Sequence, residues 1–191
     1  MLTQLDTVKM RLAITTENDD VVLRRAIEAV SARFELYCNR RFGRVQNARQ
    51  EFPANSIDFS VALYPIESIA RFEVKRSETE GWVVVSPSPE YFTRGSCVVS
   101  LLGRLGSSAE LASVIYTGGY TLPGDEVADG QSALPADIEQ ACVEQVAFWY
   151  QNRSKLGVTS IYESSVTTSV SQKAILPSVE DVLKRHVRLS V

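Results

Sequence analysis

Side chains able to do chemistry are few and scattered in this 191-residue chain. There is one histidine, His186, set among Arg185 and Arg188. A Ser–His–Asp or Cys–His nucleophile would have to use it, because imidazole is the general base of such sites. No motif surrounds it, so a solvent-facing or interface histidine is the plainer expectation. The cysteines Cys38, Cys97 and Cys142 lie 59 and 45 residues apart, with no CxxC pair. That spacing offers no zinc ligand set, and an odd number suits a reducing compartment better than a disulfide framework. Asp19-Asp20 and Asp125-Glu126 are expected to be a helix N-terminus and a solvated loop. Gly103-Arg-Leu-Gly106 and Gly118-Gly119 lack the lysine-bearing helix start of a phosphate cradle and read as turns. No cofactor or metal is expected. A small enzyme built on a carboxylate pair is the weakest reading.

Two constellations remain. Arg40, Arg41 and Arg44 cluster where a helix should end. They either complement the helix C-terminus, or serve as bidentate donors to acidic groups of a neighbouring subunit, or touch nucleic acid. Phe148, Trp149 and Tyr150 form either part of a core or an interface anchor.

These residues need elements to hold them. Hydrophobic residues make up 45% and charged residues 23%, as in an ordinary globular protein of about one domain, with or without an extension. The net charge of −3 argues against a protein that coats nucleic acid. The charge is uneven: residues 1–44 carry net +2, residues 45–134 net −5, and the remainder is neutral. No apolar run approaches the ~20 residues of a membrane span. Asp6, Lys9 and Arg11 interrupt any signal-peptide core, so export by that route is not expected.

Thr3 stands three residues before Asp6, which predicts a capped first helix over about 3–12. Leu23, Ala26, Ile27, Val30, Phe34, Tyr37 and Cys38 recur at helical spacing and predict a second helix over about 18–42. The period then changes. Alternating Ile57–Leu63 and further short β-prone runs, separated by Pro and Gly, predict a small antiparallel sheet of about four to six strands within 48–118. Pro135 opens a third helix over about 135–154, apolar on more than one side and so covered on more than one side. Residues 157–175 are rich in Ser and Thr and read as an extended arm, a surface hairpin or a disordered stretch. Pro177 starts a short amphipathic helix that must dock on the domain or on a partner. The expected class is α+β, mainly a helical bundle with an inserted sheet, as one domain over 1–155 followed by an arm over 156–191.

The order of a short helix, a long helix ending FELYCNRRF, strands including LYPIESIARFEV and SVIYTGGYTLP, and a helix LPADIEQACVEQVAFWYQNRS resembles the head–tail connector (adaptor) proteins of tailed bacteriophages. The resemblance covers roughly residues 1–155. It implies a virion structural protein, made in the host cytoplasm, with no catalytic residues. Such proteins form a ring of about a dozen subunits under the portal, extend the DNA channel, and carry the attachment site for stopper or tail-completion proteins. The portal and the stopper are the implied partners, DNA passes without specific binding, and no membrane is involved. Asp58, Glu67 and Glu73 become candidates to face the channel, where like charge repels DNA. By analogy the extension would reach the portal or an adjacent subunit through Tyr162, Ile175, Val182, Leu183 and Arg185, beside Arg40, Arg41, Arg44, Trp149 and Tyr150. The alternatives are another neck or tail-completion protein, or a small cytoplasmic nucleic-acid-binding or regulatory module.

Overall fold

A computed structural model describes residues 1–153, 160–163, 166–169 and 175–188. It divides into two units. The first comprises Met1–Cys38 and Pro135–Val187, and the second comprises Asn39–Leu134 together with Arg188.

The first unit is helical. Helix α1 (Leu5–Leu12) begins at Gln4 without a side-chain cap. Thr3 is fully buried instead, and its hydroxyl donates to Glu139 Oε1 at 3.3 Å, so the expected capping box is not formed. Helix α2 (Asp20–Tyr37) rises about 27 Å. Its buried side chains, Leu23, Ile27, Val30, Ser31 and Phe34, follow the spacing expected of one stripe. It ends at Tyr37, short of the arginine cluster, because Asn39 takes a left-handed φ of 49°. Helix α3 (Ala136–Gln151) follows Pro135, whose carbonyl accepts from the amides of Ile138 and Glu139. It packs against α1, α2 and α4 (Pro177–Lys184), which explains why Ile138, Ala141, Cys142, Val143, Gln145, Val146 and Ala147 are all buried.

Helix α4 docks back on this unit. Val179 and Leu183 are fully buried, each contributing about 1.5–3 kcal/mol. The Cys38 thiol donates to the Leu183 carbonyl at 3.6 Å, Tyr37 Oη donates to Glu180, and the Leu176 amide donates to Gln145 Oε1 at 2.9 Å.

The second unit is β-rich. Strands β1 (Val45–Pro53), β3 (Ile66–Lys75), β4 (Trp82–Val84) and β7 (Leu111–Gly118) form a sheet in the order β1-β7-β3-β4. Strands β2 (Asp58–Ser60), β5 (Tyr91–Arg94) and β6 (Val98–Leu101) form a second sheet in the order β2-β6-β5. All described pairings in both are antiparallel. The two sheets share a core of Phe52, Phe59, Phe72, Val99, Val114 and Tyr116, in which Phe52 and Phe59 stack at 3.7 Å. The Tyr116 hydroxyl accepts from the buried Leu63 amide at 3.0 Å.

Apart from these two sheets, β8 (Ser160–Glu163) and β9 (Val166–Ser169) form an antiparallel pair. Of the three readings of the Ser/Thr-rich stretch, the hairpin describes these eight positions; residues 154–159, 164–165 and 170–174 lie outside the described residues. The class is α+β as expected. The description as mainly a helical bundle is corrected: strands are about as extensive as helices, because the inserted sheets bury a core of their own.

Candidate assembly interface

The arginine cluster is divided by the backbone that carries it. Residues 41–44 run extended, with Arg41 bridging Leu63 and Gly43 bridging Tyr120. Gly119 makes this approach possible. Its φ is +101°, and a Cβ there would stand 2.6 Å from the Gly43 carbonyl oxygen. Arg40 turns inward and is 5% exposed. Its guanidinium lies over the Tyr64 ring at 3.2 Å from the centroid, with Phe42 and Tyr120 at 4.9 and 5.4 Å, and its Nη2 donates to the Tyr64 carbonyl. It is therefore an internal residue of the β-unit, corrected from an outward-facing donor. Arg44 grips Glu67 bidentately, Nε to Oε2 at 2.7 Å and Nη2 to Oε1 at 2.9 Å. That hydrogen bond and charge hold the Glu67 carboxyl below the usual range. Arg41 alone of the three stays exposed without a side-chain partner among the described residues.

The acidic candidates fare unequally. Glu73 is 4% exposed and held between Arg49 (2.6 Å) and Arg71 (2.8 Å), so it presents no free charge, contrary to expectation. Its place in a β-prone run was legible, but not that two arginines would cover it. Glu67 is neutralised by Arg44. Asp58 is exposed and accepts the Ser100 hydroxyl.

In the helical unit, Trp149 is half-buried under the Arg33 guanidinium at 5.1 Å. Tyr150 is half-buried, donates its hydroxyl to Asp19 at 2.6 Å and carries Arg153 over its ring. Both rings are thus partly packed within the helical unit and partly exposed. Leu183 is buried within the chain and Val182 is half-buried, while Arg185 is exposed. Leu183 is accordingly corrected from a partner contact to a core residue. Ile175 is half-buried, and Tyr162 falls in β8, its side chain outside what is described. His186 Nε2 lies 3.0 Å from Asp137 Oδ2, which makes it a surface tie between α3 and the end of α4.

One surface escaped the reading of the sequence: the outward line of α2, with Val21 62%, Val22 50% and Leu36 82% exposed. Their spacing from the buried stripe was visible, but apolar residues on a helix are ordinarily assigned to its core side. The loop 124–130, exposed throughout, is the solvated loop expected around Asp125-Glu126. No cluster of three or more metal-ligating side chains occurs among the described residues, and no described helix is long and apolar enough to cross a membrane.

The chain belongs to the head completion protein family, whose model matches residues 1–189. No curated protein matches it. Solved structures share its fold. A chain in the neck of an empty gene transfer agent (GTA) particle, computed with C6 symmetry, is 13% identical with a TM-score of 0.59, over 98% of this chain and 90% of that one. A chain in the virion of a native GTA particle is 15% identical with a TM-score of 0.54, over 91% and 80%. Another, in the neck of a native GTA particle computed with C12 symmetry, is 13% identical with a TM-score of 0.54, over 89% and 84%.

Proposed function

We propose that this protein is a structural component of a virion neck, one of a ring of identical copies that completes the head and joins it to the tail. The observation that carries the reading is the head completion family match across residues 1–189. The likeness to chains in GTA necks computed with C6 and C12 symmetry supports a closed ring. In this reading the portal lies on one side of the ring and a stopper or tail protein on the other. Its work is done by shape and association, with no bond made or broken. DNA passes through the ring without specific binding. Of the three acidic candidates for the channel wall, Asp58 keeps an exposed carboxylate. Arg41 and Arg185 remain exposed as candidate contacts with portal or neighbour.

Particles made without this chain test the reading. Imaging is expected to find DNA-filled or leaking heads without tails, and supplying the chain restores tailed particles. Complete tailed particles in its absence would overturn it.

A further inference from the structure

The charge asymmetry along the chain has a physical location. Along α2 the outward face carries Val21, Val22, Arg25, Ala29, Ala32 and Leu36, all exposed. Val22, Arg25, Ala29, Ala32 and Leu36 recur at three- and four-residue spacing, and Val21 stands four before Arg25, so together they form one face opposite the buried stripe. Arg24, beside this line, and Arg25 have no ion-pair partner among the described residues. Glu28 is the one exposed carboxylate on this face, against Arg24 and Arg25.

The loop 124–130 carries the complementary set. Asp125, Glu126 and Asp129 are exposed without a cation partner among the described residues, and Val127 stands among them 50% exposed. The loop is held firmly at its base. The Thr121 amide donates to the Ser132 carbonyl at 2.8 Å and the Leu134 amide to the Thr121 carbonyl at 3.0 Å. Gln131 Oε1 accepts from the Thr121 hydroxyl at 3.0 Å and from the Ala128 amide at 3.3 Å. A loop so fixed presents three carboxylates and one valine with little ordering cost on binding.

We infer that the loop 124–130 of one copy docks on the outward face of α2 of the next copy, Val127 against Val21 and Val22, its carboxylates against Arg24 and Arg25. The occupant is a second copy because the matching charges and exposed apolar residues lie on the same polypeptide. Two unlike patches that fit one another make a head-to-tail contact, the kind a closed ring needs. This contact rests on the ring proposed above and names the surfaces that build it.

The test uses assembled particles. Val22→Cys and Val127→Cys chains, both on a Cys97→Ser background, are co-produced in equal amounts. A disulfide between positions 22 and 127 can then join only two copies. The remaining cysteines, Cys38 and Cys142, are buried. Oxidation is expected to give a dimer band containing both variants. In parallel, Arg24→Glu with Arg25→Glu is expected to lower incorporation about tenfold, and adding Asp125→Lys with Glu126→Lys in the same chain to restore most of it. Rings imaged normally but with no mixed dimer, and with charge-reversed chains incorporated as wild type, would overturn this contact and leave the ring standing. A bond from position 127 to a different virion protein would also overturn it. Necks imaged without any ring of this chain would overturn the ring and this contact together.

Discussion

A guanidinium buried with no carboxylate partner among the described residues has to be held by other means, and at Arg40 the means are aromatic. The planar cation lies flat on Tyr64 with Phe42 and Tyr120 around it, while one nitrogen reaches the Tyr64 carbonyl. Lysine cannot copy this, because its ammonium is a hydrated point charge with no plane to stack. Arg40→Lys is therefore expected to destabilise the β-unit by about 1–3 kcal/mol, read from Trp82 fluorescence in a urea titration with Trp149→Phe in both chains compared. An unchanged midpoint would deny the aromatic cage its part. In the sequence, Arg40, Arg41 and Arg44 stand as one group. Only the tertiary path separates a core cation, a free cation and one closed on Glu67, since residues 24 or 23 positions away supply the partners.

At the scale of elements, the buried stripe of α2 and the many-sided burial of α3 were legible from apolar spacing alone. Strand β1 was not. Its sequence VQNARQEFP buries only Phe52, and it is a strand because β7 supplies its hydrogen bonds. Gln145 was equally hidden: a polar residue on the apolar line of α3, fully buried because the Leu176 amide at the entry to α4 needs an acceptor. Of the two docking places expected for the terminal helix, its own domain is the one that α4 occupies, with Val179 and Leu183 completing the helical core. The Asp137–His186 tie gives α4 a pH dependence. Partial burial pushes the Asp137 carboxyl up, but the hydrogen bond and charge of His186, with the Ile138 amide, outweigh it and hold the carboxyl below its ordinary value. A lowered folded pKa stabilises above the unfolded pKa and loses that stabilisation as pH falls through the folded one. The melting-temperature gap between wild type and Asp137→Asn is expected to narrow as pH falls from about 5 to about 3. A gap unchanged over that range would exclude the tie as a contributor.

For the whole molecule, a net charge of −3 conceals a basic helix face and an acidic loop. Attraction between exposed charges weakens as the screening length shrinks from about 10 Å at 0.1 M salt to about 3 Å at 1 M. Sedimentation of the purified chain is thus expected to find weaker self-association as salt rises across that range; association that strengthens instead would mark an apolar contact as dominant. The division of the chain also imposes an order in time. Residues 39–134 are contiguous, so every strand of the two core sheets has been synthesised before α3 begins. The helical unit must wait for α4, and until then the strip that Val179 and Leu183 cover stays open. On the ribosome the sheets can close early, while the helices remain a half-built pocket. A copy whose translation stops before residue 177 carries finished strands and an unfinished helical half, and so enters the pool of subunits already defective.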